Sequence, residues 1–98
     1  MNRADAISRL QQHAEALSAM GATSLYMFGS IARDASKSSS DLDVFVEYDP
    51  QGRFNALDLV GIKLFLQEKL DMPVDVTTRD GLHPMLKSDI EQDAIRVF

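Results

Sequence analysis

Asp41 and Asp43 stand two residues apart in the run Asp41-Leu42-Asp43-Val44-Phe45-Val46. On an extended strand that spacing puts both carboxylates on one face, roughly 6 to 7 Å apart along the backbone. Two carboxylates about 6 Å apart repel by ~0.7 kcal/mol in water and by ~3 kcal/mol at an effective dielectric near 20. On an open surface that cost is small. In a cleft it calls for a neutralising cation, and hard divalent cations favour carboxylate oxygens. Asp75 repeats the register between Val74 and Val76, so three carboxylates converge if the two strands are neighbours. Upstream, Gly29-Ser30 follows an apolar run, where a strand gives way to a turn whose backbone N–H groups and hydroxyl can hold phosphate. An Asp-x-Asp alone is ordinarily a solvated strand face, and a lone Gly-Ser says little. Together they describe a nucleotide-handling layout, an acidic metal site beside a phosphate cradle.

The elements that must carry these residues follow from periodicity. Leu42–Tyr48 alternates Leu42, Val44 and Val46 against Asp41, Asp43, Phe45 and Glu47, the pattern of a strand. Asp49-Pro50-Gln51-Gly52 closes it with turn chemistry. Thr23 to Phe28 reads as a second strand, Pro73 to Thr77 as a third, and a short helical turn is expected through Ile31, Ala32 and Arg33. Residues 3 to 20 read as an amphipathic helix with Ile7, Leu10, Ala14 and Leu17 on its apolar side, stopped by Gly21. A long helix over about Phe54 to Leu70 is apolar on two sides. One stripe is Phe54, Leu57, Val60, Leu64 and Phe65; the other is Leu59, Ile62, Leu66 and Leu70. Met85 to Asp93 reads as a short helix and Ile95 to Phe98 as a terminal segment. The order helix, strand, strand, helix, strand, helix points to an α/β (α+β) fold, a small sheet with helices on one face.

Composition bounds the rest. The 98 residues suit one domain spanning 1–98, with 45% hydrophobic and 26% charged residues, ordinary for a globular chain. Cysteine is absent, so thiolate metal sites, cysteine nucleophiles and disulfides are excluded, in keeping with a cytoplasmic setting. No apolar run reaches membrane-spanning length, so no membrane is expected. Ten basic against fifteen acidic residues, a net charge of −5, argues against gripping long nucleic acid by its phosphates. His13 and His83 are isolated and read as structural, and Tyr26 and Tyr48 as packing residues.

The stretch Phe28-Gly29-Ser30, ten residues, then Asp41-Leu42-Asp43, with Asp75 on a later strand, resembles the signature of polymerase-β-like nucleotidyltransferases. It is similar in particular to their minimal nucleotidyltransferase (MNT) branch. The resemblance covers essentially the whole chain and implies the nucleotidyltransferase fold with a mixed sheet. It also implies a set of roles. Asp41 and Asp43 would ligate Mg²⁺ bound to ATP. Asp75 would be the third carboxylate, serving a second Mg²⁺ and helping to deprotonate the attacking oxygen. Gly29 and Ser30 would contact the β- and γ-phosphates. Arg33 would offset phosphate charge, although an exposed helix-end arginine reads equally well. Ser40 precedes the acidic pair as in relatives, and turn hydrogen bonding accounts for it as well. Asp34 departs from the family, whose members often carry glycine there.

The catalytic fold consumes the chain, so an acceptor surface must come from a second copy or another protein. Stand-alone chains of this size resemble the antitoxin partners of HEPN ribonuclease toxins, which transfer AMP from ATP to a toxin tyrosine. That implies a hetero-oligomer with a HEPN-type toxin, and a homodimer is a further option. Two other readings stay open: a non-catalytic antitoxin acting by occlusion, and nucleotidyl transfer to a small molecule such as an aminoglycoside. The second apolar stripe of the long helix is either a contact surface or covered by the first and last helices.

Overall fold

The computed structural model describes residues 1–35 and 41–98. Ser40 lies outside the described residues. The alternating segment becomes the central strand β2 (Leu42–Tyr48). On one side it pairs antiparallel with β1 (Ala22–Phe28), on the other parallel with β3 (Val74–Thr78). A short β4 (Ile95–Arg96) adds antiparallel to β1, so the order is β3-β2-β1-β4. The terminal segment is thus a fourth strand, and its two paired residues are too few to show an alternation in sequence.

A parallel pair needs a crossover, and α4 (Ala56–Leu70) supplies it between β2 and β3. It begins two residues later than its apolar pattern, because Asn55 caps it: its side chain accepts from the N–H groups of Leu57 and Asp58, and Asp58 answers on the Asn55 N–H at 2.9 Å. The N-terminal helix is divided into α1 (Arg3–Gln12) and α2 (Ala14–Ala19) at His13. The His13 N–H bonds the Leu10 carbonyl at 3.1 Å, a tightened turn, and its ring meets Phe65 edge-on at 5.5 Å.

The core lies on one face of the sheet. Leu25, Met27, Val44, Val46, Val74 and Val76 pack under Ala6, Leu10, Leu17, Ile62, Leu66 and Leu70. Each fully buried large aliphatic contributes about 1.5–3 kcal/mol, and this cluster holds the three strands in register. The stripe containing Ile62, Leu66 and Leu70 therefore faces inward. The other stripe is divided: Phe54 and Phe65 pack against the core, Phe65 meeting His13 between the first two helices, while Leu57, Val60 and Leu64 are exposed. The short α3 (Gly29–Ala32) follows β1 directly, beginning two residues before the helical turn read from sequence and ending one residue before it. The last helix, α5 (Pro84–Asp93), adds no residue to the core cluster. His83 caps α5, its Nδ1 accepting from the Met85 N–H at 3.2 Å.

Candidate functional site

Strand alternation places Asp43, Phe45 and Glu47 on the side of β2 away from the core. Parallel pairing sets Asp75 of β3 directly beside Asp43, Cα against Cα in the ladder. Asp41 immediately precedes β2 and is exposed, as is Asp75; Asp43 is half-buried. The three carboxylates thus occupy one patch at the start of the parallel pair. Its field is visible in Asp43: burial, then the charges of Asp75 and Asp41, push its pKa above the ordinary value, and Arg33 opposes them.

On the other side of Asp43, β1 pairs Phe28 with it. The next residue, Gly29, has φ +79, and a Cβ there would collide with the Asp43 carboxylate, its Cγ lying 3.2 Å away. Only glycine admits that approach. Ser30 follows in the first turn of α3, whose N-cap residue, Phe28, offers it no side-chain hydrogen bond. Arg33 is exposed at the end of α3. The turn is tied down from α1: the Arg3 N–H donates to Asp34 Oδ1 at 3.3 Å, and Arg3 Nη1 donates to the Ala32 carbonyl at 3.4 Å. Asp34 has φ +59, a left-handed position that aspartate tolerates.

The donor set suits a hard cation. Among the described residues no group of three or more His, Cys, Asp or Glu side chains is placed to hold a metal ion by itself. Mg²⁺ commonly takes only one or two carboxylates and completes its shell with phosphate oxygens and water, which an open patch of carboxylates beside a phosphate turn accommodates.

Sequence reasoning missed two features. A groove of about 240 Å³ beside the turn is walled by Phe28, Gly29 and Arg33 on one side and by Asp89, Ile90 and Asp93 of α5 on the other. The four-residue spacing of Asp89 and Asp93 was its only signal. The second is further along β2, where Phe45, at the middle of the strand, is fully buried although its register groups it with the acids. Tyr26 stacks on it at 4.8 Å, and the Arg79 guanidinium covers both rings, at 4.7 Å from Tyr26 and 5.1 Å from Phe45. Arg79 Nη1 donates to Glu91 at 2.7 Å. Its Nε lies 3.4 Å from Glu47, an ion pair too poorly aligned to be a hydrogen bond. This network joins β1, β2, the turn that follows β3 and α5, and a cleft of about 230 Å³ at Tyr48, Pro50, Arg79 and Lys87 opens beside it, away from Asp43.

Comparison with known proteins agrees with this geometry. The nucleotidyltransferase domain family matches residues 10–97. Two proteins of Methanocaldococcus jannaschii, each named a "putative protein adenylyltransferase", are 43% and 34% identical to the chain. The first alignment covers 74% of this chain and 75% of the relative, the second 76% and 74%. A solved "putative minimal nucleotidyltransferase" superposes with a TM-score of 0.81 at 32% identity, covering 97% of this chain and 95% of the other. At the level of fold alone, a toxin–antitoxin crystal structure with AMP-PNP superposes with a TM-score of 0.72 at 16% identity, over 90% of this chain and 72% of the other.

Proposed function

The chain belongs to the nucleotidyltransferase domain family and is a nucleotidyltransferase; from that premise we propose that it is a Mg²⁺-dependent protein adenylyltransferase. In this reading it transfers AMP from ATP to a tyrosine of a HEPN-type toxin and thereby neutralises it. The observation that carries the reading is the placement of Asp43 between Asp75 and the Gly29 backbone.

Asp41, Asp43 and Asp75 would hold Mg²⁺, which when bound screens phosphate charge and stabilises the attacking and leaving oxygens. Gly29 lets phosphate approach the backbone, Ser30 offers a hydroxyl to the β- and γ-phosphates, and Arg33 offsets their charge. Ser40, ahead of the acidic pair, completes the nucleotide side. The tyrosine oxygen forms a bond to the α-phosphorus, the bond from that phosphorus to the β-phosphate bridging oxygen breaks, and pyrophosphate leaves. Asp75 takes the phenolic proton. The raised pKa of Asp43 fits the role, because a carboxylate crowded by others gains most from a bound cation. Support for a toxin partner comes from solved relatives, among them a tri-AMPylated Shewanella oneidensis HEPN toxin in complex with an MNT antitoxin, a likeness of fold at 15% identity and a TM-score of 0.65. That alignment covers 90% of this chain and 68% of the other. Among the described residues no helix is long and apolar enough to cross a membrane.

The test is incubation of the chain with labelled ATP, Mg²⁺ and a HEPN-type toxin. Label is expected on a toxin tyrosine, falling by about 10²–10³-fold or more in Asp43→Asn and Asp75→Asn and lost on chelation. Absence of transfer, or transfer undiminished in Asp43→Asn, overturns the reading. Toxin protection that survives Asp43→Asn establishes occlusion instead.

A further inference from the structure

Unlike α1 and α4, α5 contributes no buried residue, and its Met85 and Leu86 are exposed. Buried Leu82 anchors the chain just before it, and β4 pairs with β1 just after it. Between those ends, the one ion pair that α5 makes among the described residues joins Glu91 to Arg79. Arg79 is itself fixed from several directions. It opens the turn after β3, where Thr78 Oγ1 accepts from the Gly81 N–H at 3.0 Å and Tyr48 donates to Asp80 at 2.7 Å. Its guanidinium lies over Tyr26 and Phe45 while Nε faces Glu47, which leaves Nη1 for Glu91. Arginine can do all of this at once because it offers a flat face to rings and a fork of donors to carboxylates.

The rotation of α5 about its own axis follows from that grip. At about 100° per residue, Glu91 leaves the helix about 160° away from both Asp89 and Asp93. Tying Glu91 to Arg79 therefore turns Asp89 and Asp93 to the opposite side of α5. There, with Ile90, they wall the groove that opens on Gly29 and Arg33. The Arg79 contact and the groove are thus two sides of one helix, and the first sets the second. Gly29 and Arg33 are also the residues assigned above to the nucleotide phosphates, so the wall that α5 supplies borders the nucleotide.

We propose that Arg79 is a positioning residue for the nucleotide site: through Glu91 it fixes the rotation of α5, and with it the wall of the groove beside Gly29 and Arg33. The proposal rests on the adenylyltransferase reading of that site. Released from Arg79, α5 keeps both of its anchored ends but loses its fixed rotation. The nucleotide then loses a wall and no reacting group, so affinity falls while turnover persists.

The test compares the full chain with Glu91→Ala, Glu91→Gln and Arg79→Met, with circular dichroism melting to verify that each variant folds. Titration of a fluorescent ATP analogue with Mg²⁺ gives Kd, labelled-ATP transfer to a HEPN-type toxin gives KM and kcat, and amide hydrogen exchange follows α5. In Glu91→Ala and Arg79→Met, Kd and KM are expected to rise about three- to tenfold with kcat held within about twofold. Amides of α5 exchange about tenfold faster in the same variants while those of β2 do not change. Glu91→Gln keeps an acceptor for Arg79 Nη1 and recovers Kd to within about twofold. Faster exchange in α5 with unchanged Kd makes the contact merely structural and overturns the proposal, as does a loss confined to kcat or exchange that does not change. An unsubstituted chain that binds no Mg²⁺-ATP analogue overturns the adenylyltransferase reading together with this proposal, whereas binding that is equal in every variant overturns this proposal alone.

Discussion

Asp43 and Glu47 lie on the same side of β2, four residues and about 13 Å apart, and their surroundings push them in opposite directions. Asp43 is raised by burial and by the charges of Asp75 and Asp41. Glu47 is lowered, chiefly by the Ser24 hydroxyl that donates to it at 2.6 Å, with Arg79 adding to that and partial burial opposing it. One end of the strand is electrostatically finished, its acid matched inside the chain. The other is left incomplete, and the family's chemistry is what a cation and a triphosphate would complete there. Acids of one strand face therefore divide into structural and functional by what the neighbouring elements bring, not by their own spacing.

The widest separation between the two ends is expected from Gly29→Ala. It forces a left-handed backbone on alanine and drives a Cβ into the Asp43 carboxylate, costing roughly 2–3 kcal/mol in chemical denaturation. Made in an Asp43→Ala background, the same change should cost about 1 kcal/mol less; an equal loss in both would deny that the two residues are pressed together. Next comes Arg79→Met, which uncovers Tyr26 and Phe45 and unpairs Glu47 and Glu91. A loss of about 1–3 kcal/mol is expected, against about 0.5 kcal/mol or less for exposed Arg33→Met. Similar losses for the two arginines would erase the contrast.

The smallest and most diagnostic effects are a pair of opposite sign, measured without divalent cations. Asp43→Asn should stabilise the fold by about 0.5–1 kcal/mol near neutrality, discounted for solvent screening, while Glu47→Gln should destabilise it by a similar amount. Their pH dependence follows from linkage. The stability that Glu47 adds is full above the ordinary glutamate value of 4.5 and is lost as pH falls through its lowered folded value. The ionised Asp43 weakens the fold only as pH rises through its raised value, and below the ordinary aspartate value of 3.8 the penalty is absent. Melting temperatures of both variants should therefore draw toward the parent chain in strong acid. Two shifts of the same sign at neutral pH would break the comparison.

Much of this was legible beforehand because it is local. Alternation identified β2 and β3 to within a residue, Gly21 bounded the first helical segment, and Gly29-Ser30 announced a turn. What escaped is non-local. His13 interrupts the first helix without any breaker residue, in a bend that accompanies its contact with Phe65. Phe45 alternates with acids yet is buried, because Tyr26 and Arg79, distant in sequence, close over it. The groove at Asp89 and Asp93 needed α5 to pack against the turn after β1.

Residue order alone determined which side chains share a face, since the two-residue repeat of a strand and the 3.6-residue repeat of a helix are properties of the backbone. Thus Asp41 with Asp43, and two apolar stripes on α4, could be read directly. Only the folded chain decided that β3 lies parallel beside β2, setting Asp75 against Asp43, and which α4 stripe goes inward. Those choices rest on burying one common apolar surface, and no short stretch of sequence carries the shape of that surface.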